Sequence, residues 1–181
     1  MRVIGIDPGS RVCGYGVLEA RDGEVTHLTS GCIVPKSTLP INQRLKIIYD
    51  GLLKVIDQHS PDVMSIEDMF FAKNAKSALK LGQARGVAIL AGSNSGILVH
   101  EYAPTKVKLA LTGRGRANKE EVQSMLSRLL GVQEWETQDA SDAVAIAFCH
   151  INISQIEKKL GKEFVQTRRR RRRFTIDDLP S

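Results

Sequence analysis

The stretch Val3–Gly9 constrains the chain more than any other. An apolar run rich in strand formers ends on one carboxylate, Asp7, and Pro8-Gly9 turns the chain at once. Short apolar runs bounded by turn residues are the mark of strands buried on both faces. Asp7 then stands at the end of a central strand, where burying an ionised carboxylate costs several kcal/mol unless a cation meets it. Arg11 is the only basic residue that follows within a turn. Two readings of Asp7 stay open on this stretch alone. It starts the turn, as Asp commonly does, or it is a metal ligand.

The next segments supply the sheet for that strand. Val12–Ala20 is a second apolar stretch, Arg21-Asp22-Gly23 a hairpin turn, and Glu24–Val34 a third strand, together an antiparallel meander. The period then changes. Ile41, Leu45, Ile48, Leu52 and Val55 recur every three or four residues, so an amphipathic helix is expected, with Pro40 in its first turn and Ser60-Pro61 ending it. Asp62–Glu67 returns to strand character and again ends on a carboxylate. Phe70 and Phe71 follow in a short loop, then a helix from Ala75 to Ser93. Gly96–Tyr102 is the fifth strand, Pro104–Leu111 a short helix, Thr112–Asn118 a basic loop, and Glu120–Leu130 and Thr137–Ile153 two more helices. The expected fold is α/β: a five-stranded mixed sheet, a three-stranded antiparallel meander plus two parallel strands, with helices on both faces.

The second long helix carries Ala75, Ala78, Gly82 and Gly86 on one side. Each interior glycine costs a helix about 1 kcal/mol relative to Ala, so the stripe implies close approach of another backbone. That backbone belongs either to the sheet beneath or to a second subunit.

With 181 residues, 42% of them hydrophobic, the chain can build one domain with a real core. It has no apolar run long enough to span a bilayer and no signal-peptide pattern, so a cytoplasmic location is expected. Cys13, Cys32 and Cys149 lack metal-ligand spacing and read as reduced core thiols, and the four histidines are scattered. The formal charge of +6 is mostly a tail property. Removing the run Arg168–Arg173 from the 26 basic residues, and Asp177 and Asp178 from the 20 acidic ones, leaves +2. Residues 1–155 therefore read as one domain. Residues 156–181 read as a charged, disordered tail whose six arginines raise affinity for any DNA.

Few acidic residues begin or end a buried element: Asp7, Glu67, and the pair Asp139 and Asp142, three apart on one helix face. Acidic residues in a first helical turn are favoured by the helix dipole, about 0.3–1 kcal/mol each. That alone would explain the pair. Asp68 adjoins Glu67 but should point to the opposite face. If the first and fourth strands are neighbours, however, all four carboxylates meet at one edge with no obvious Lys or Arg among them. They would repel strongly without divalent cations. Oxygen-only ligation selects Mg²⁺ or Mn²⁺ over zinc. A pair of such ions about 3.5–4 Å apart activates water and stabilises the leaving oxygen in phosphodiester hydrolysis.

The strand I-G-I-D-P-G at Ile4–Gly9, I-E-D-x-F at Ile66–Phe70, K-N-A-x-S-A-L-K-L-G-Q-A-R-G at Lys73–Gly86 and D-A-x-D-A at Asp139–Ala143 together resemble the RuvC family, bacterial Holliday-junction endonucleases with a ribonuclease H-like fold. The resemblance runs from Met1 to about Gln155. It implies a homodimer that nicks two opposing strands of a four-way junction with Mg²⁺, two ions per subunit, leaving 5′-phosphate and 3′-hydroxyl ends. Asp7, Glu67, Asp139 and Asp142 match the family's metal-binding catalytic carboxylates. Phe70 matches an aromatic that stacks at the opened junction, although it could also staple the following helix. Lys108 and Lys119 match basic positions near the DNA backbone. The Ala78–Gly82–Gly86 stripe moves toward a dimer interface. Partnership with the branch-migration proteins RuvA and RuvB is implied by resemblance alone. Arg114 and Arg116 flank Gly115 in a loop that could clamp a phosphate, and the tail matches nothing in the family.

Three other functions compete. An actin-like ATPase or sugar kinase also begins with a strand ending in D-x-G, but needs a second such half. A non-catalytic junction-binding module would not require four carboxylates. A ribonuclease H-like enzyme acting on RNA or an RNA–DNA hybrid would share the carboxylates but not the Phe70 loop or the small-residue helix.

Overall fold

A computed structural model describes residues 1–68 and 75–161 of the chain. Its five strands are β1 (Arg2–Asp7), β2 (Cys13–Arg21), β3 (Glu24–Ile33), β4 (Val63–Glu67) and β5 (Leu98–Tyr102), in spatial order β3-β2-β1-β4-β5. β1, β2 and β3 pair antiparallel, while β4 runs parallel to β1 and β5 parallel to β4. The expected meander and parallel pair are both present. Among the described residues five helices flank the sheet: α1 (Ile41–His59), α2 (Ala75–Asn94), α3 (Pro104–Thr112), α4 (Lys119–Leu130) and α5 (Gln138–Lys159).

Strand alternation divides the core in two. Ile4, Ile6, Cys13, Val17, Met64 and Ile66 pack with α1 and α2 through Ile48, Leu52, Ala88 and Ala91. Val3 and Leu18 pack on the other face with α5, α4 and α3 through Val144, Ala147, Leu126 and Val107. Because successive side chains on a strand point to opposite faces, Asp7 shares the α5 face with Val3. Glu67 does the same on β4, where Met64 and Ile66 face the other way.

α5 lies almost in backbone contact with the sheet, and three glycines make that possible. A Cβ at Gly5 would overlap the Ala143 carbonyl and stand 2.7 Å from the Ala147 nitrogen. One at Gly14 would overlap the Asp139 carbonyl, and one at Gly16 would overlap the Val144 side chain. Gly5 pairs with Gly16 across β1 and β2, and Asp7 pairs with Gly14. The glycine bed thus sets the first turn of α5 directly against the end of β1.

Two helix expectations need correction. Pro40 is the N-cap of α1 rather than part of its first turn. The buried face of α1 runs Arg44, Ile48, Leu52, Ile56, so the stripe expected through Ile41, Leu45 and Val55 is only half-buried. Secondly, α5 continues past Ile153 to Lys159, into the segment expected to be tail. Polar residues do not stop a helix; the first stop signal is Gly161, with a left-handed φ of 64°. Among the described residues no helix is long and apolar enough to cross a membrane. Phe70, Phe71 and the tail from Lys162, including Arg168–Arg173, lie outside the described residues.

Candidate active site

β1 and β4 run in parallel with Ile6 beside Ile66. Their terminal carboxylates, Asp7 and Glu67, therefore emerge side by side at the carboxyl ends of adjacent strands. Asp139 and Asp142 come from the first turns of α5, whose start is fixed by Thr137. Its Oγ1 accepts the Ala140 N–H at 3.1 Å and lies 2.9 Å from the Cys32 Sγ on β3.

The other three carboxylates all bear on Asp7 electrostatically. Asp7 is pushed up from 3.8 to about 7, first by burial and then by the charges of Glu67, Asp142 and Asp139. The Glu67 carboxyl is also raised, by burial and then Asp142, against the opposing pull of Lys119 and Lys108. Among the described residues no three ligating side chains close on a single point.

One cation already stands there, contrary to the expectation that none would. Lys119, the first residue of α4, donates to Asp142 at 3.2 Å. Burial works against its charge, yet Asp142, Asp7 and Asp139 raise its affinity for the proton. Its position is set by a capping box, in which Asn118 and Glu121 satisfy each other's backbone N–H groups. Lys108 on α3 joins it, and together with Asp7, Glu67 and Asp142 they line an open cavity of about 290 Å³. Val107, Val122 and Ile146 form its apolar wall.

Arg114 donates to Glu121 at 2.7 Å. Arg116 is exposed on the loop before α4. Asp68 faces away from the cavity, as expected, and lies 3.9 Å from Arg85 on α2. Arg85 also pairs with Glu101 and reaches the Glu67 carbonyl at 3.4 Å, strapping the ends of β4 and β5. The sequence reading assigned Arg85 no role beyond its place in a motif.

Residues 3–150 match the family described as Crossover junction endodeoxyribonuclease RuvC. The chain belongs to the RuvC family. The RuvC of Trichlorobacter lovleyi is 46% identical over 169 residues, 93% of this chain and 95% of that one. Among solved structures, T. thermophilus RuvC in complex with a Holliday junction substrate is 32% identical. It covers 90% of this chain and 97% of its own, with a TM-score of 0.82. The yeast mitochondrial Holliday junction resolvase Ydc2 shares the fold at 14% identity and a TM-score of 0.61, over 88% of this chain and 82% of that one. The fold is the expected ribonuclease H-like one. With RuvC membership the protein is a nuclease, and the actin-like and sugar-kinase alternatives fall away.

Proposed function

We propose that this chain resolves Holliday junctions by paired nicks in two opposing strands, leaving 5′-phosphate and 3′-hydroxyl ends. The observation that carries the reading is the gathering of Asp7, Glu67, Asp139 and Asp142 beside an open cavity flanked by Lys108 and Lys119. The donor set suits a hard divalent cation. It is all carboxylate, and Asp7 is pushed up to about 7 first by burial and then by its three acidic neighbours, which Lys119 only partly offsets. Asp7, Glu67, Asp139 and Asp142 would hold the metal, with Mg²⁺ the expected ion and Mn²⁺ a substitute. When bound, such ions activate water and stabilise the leaving oxygen of an in-line displacement.

The chain's own residues do the rest. The glycine bed under α5 fixes the Asp139 and Asp142 backbone against β1 and β2, so those carboxylates are held on rigid elements. Lys108 and Lys119 face the phosphate from the α3 and α4 side and attract the strand into the cavity. Val107, Val122 and Ile146 limit water on one wall. Phe70, just beyond Asp68, is assigned to stacking on an unpaired base.

A two-fold junction needs two such sites, and α2 offers the surface for a homodimer. Ala78, Gly82 and Gly86 are all exposed, and a Cβ at Gly82 or Gly86 would meet nothing within 4 Å. The buried face of α2 is Ala84, Ala88 and Ala91 instead. Sheet packing therefore does not account for these two glycines. Leu79 and Leu90, 70% and 51% exposed, extend the same surface. RuvA and RuvB are proposed as partners on family resemblance alone.

The test is a panel of four-way junction, linear duplex and RNA–DNA hybrid, with and without Mg²⁺. Symmetric, ligatable nicks confined to the junction in Mg²⁺ are expected. Cleavage of the hybrid instead would reassign the enzyme to RNA.

A further inference from the structure

A basic recess lies across β1 from the carboxylates, and neither the site above nor any role implied by the family resemblance accounts for it. It is about 660 Å³ and is bounded by the β1–β2 turn (Ser10, Arg11), the β3–α1 loop (Ser37), α1 (Arg44) and the start of α2 (Ser77, Lys80). Three cations and three hydroxyls line it, and no carboxylate does.

Arg44 is the unusual member. It sits on the buried face of α1, four residues before Ile48, and is only 7% exposed. Its Nε has no hydrogen-bond partner among the described residues. Burying a guanidinium N–H unsatisfied is costly, and such a group in a native fold implies a partner supplied from outside. A planar, always-charged donor fork matches a phosphate oxygen pair. Arg11 and Lys80, both exposed on the rim, would complete the neutralisation.

We infer that the Ser10–Arg11–Arg44–Lys80 recess binds a backbone phosphate of the DNA, separate from the phosphate that is cut. This rests on the reading above that the chain works on DNA. Arg11 is four residues from Asp7, so the two can be at most about 14 Å apart along the chain. Adding the reach of the arginine side chain, the anchored phosphate lies a few nucleotides from the cleaved one. The recess would thereby set how far the strand advances toward Asp7. The carboxylates select the bond, and Arg44 fixes the register.

The experiment compares wild type with the rim double variant Arg11→Gln/Lys80→Gln and with Arg44→Lys, which keeps the charge but loses the fork. Binding to duplex and to four-way junction is measured without divalent metal across a salt series, and junction nicking is measured separately in Mg²⁺. The rim variant carries no buried change, so it reports even if Arg44→Lys folds poorly. Loss of one phosphate contact is expected to reduce the slope of log K against log salt by about 0.9 on both DNAs. It should also weaken binding roughly ten-fold. An unchanged slope and affinity in the rim variant overturns the inference, even when wild type nicks junctions normally. If wild type fails to nick junctions but the duplex slope still falls, the recess stands and the resolvase reading fails. If inorganic phosphate stabilises wild type and not the rim variant while DNA slopes are equal, the recess takes free anions and the DNA assignment is overturned.

Discussion

Asp7→Asn should make the metal-free protein more stable at alkaline pH while making it inactive. Asp7 ionises at about 7 in the folded chain against an ordinary 3.8. The folded state therefore holds the proton more tightly than the unfolded one. Stability from this group is complete below about 3.8, is lost as pH rises through the folded value, and is constant above about 7. At 1.36 kcal/mol per unit, the full penalty is about 4 kcal/mol, of which about 1 is already present at pH 4.5. Asparagine carries no charge, so its own burial cost is the same at both pH values. The melting-temperature advantage of the variant should thus grow by about 3 kcal/mol between pH 4.5 and pH 8, roughly 6–12 °C for a chain of this length. The assay is differential scanning calorimetry of both proteins in EDTA across that range, repeated in Mg²⁺. Wild type should gain about 1.4 kcal/mol from ion at ten times its dissociation constant, and the variant much less. An advantage that does not grow with pH would refute the argument that Asp7 is an uncompensated buried carboxylate.

Four further outcomes follow from named contacts. Gly16→Ala puts a Cβ 2.9 Å from the Val144 nitrogen. It should cost about 1–3 kcal/mol in chemical denaturation and lower nicking out of proportion, because the helix it displaces carries Asp139 and Asp142. Lys119→Met removes a largely exposed ion pair, so its melting temperature should move by less than about 1 kcal/mol's worth. Its single-turnover nicking should nevertheless fall roughly 10–100-fold, since an oriented charge at the reacting phosphate is gone. Gly82→Asp places a Cβ that meets nothing within 4 Å among the described residues and is no worse than glycine in a helix, so sedimentation should report a folded monomer in place of a dimer. Deleting residues 168–181 should lower the salt slope for duplex binding by up to about 5, at 0.9 for each of six arginines.

Much of this was legible in the sequence for identifiable reasons. Asp7 and Glu67 each close an apolar strand, and strand period alone carries them to the face that α5 covers. Asp139 and Asp142 share that helix face by spacing. Lys119 was legible as a basic residue but not as the counterion of Asp142, because that contact joins two helices whose packing no local pattern encodes. Gly14 and Gly16 were visible within a strand, yet their purpose depends on a helix more than 120 residues later. Arg44 was missed because an apolar stripe through Ile48 and Leu52 extends backward equally well to Leu45 or to Arg44. Only the packing of α1 against α2 and the sheet chooses between them. Continuing that stripe in both registers and asking whether either meets a charge would have found it.

The central claim is that the four carboxylates at the ends of β1, β4 and α5 perform metal-dependent cleavage of a junction. The most direct measurement is single-turnover cutting of a four-way junction by wild type and Asp7→Asn over a Mg²⁺ titration, with junction binding followed in parallel. Wild type should nick both opposing strands as Mg²⁺ rises. Asp7→Asn should bind the junction and leave every strand intact at all concentrations. Cleavage by Asp7→Asn in Mg²⁺ at a rate near that of wild type would contradict the account.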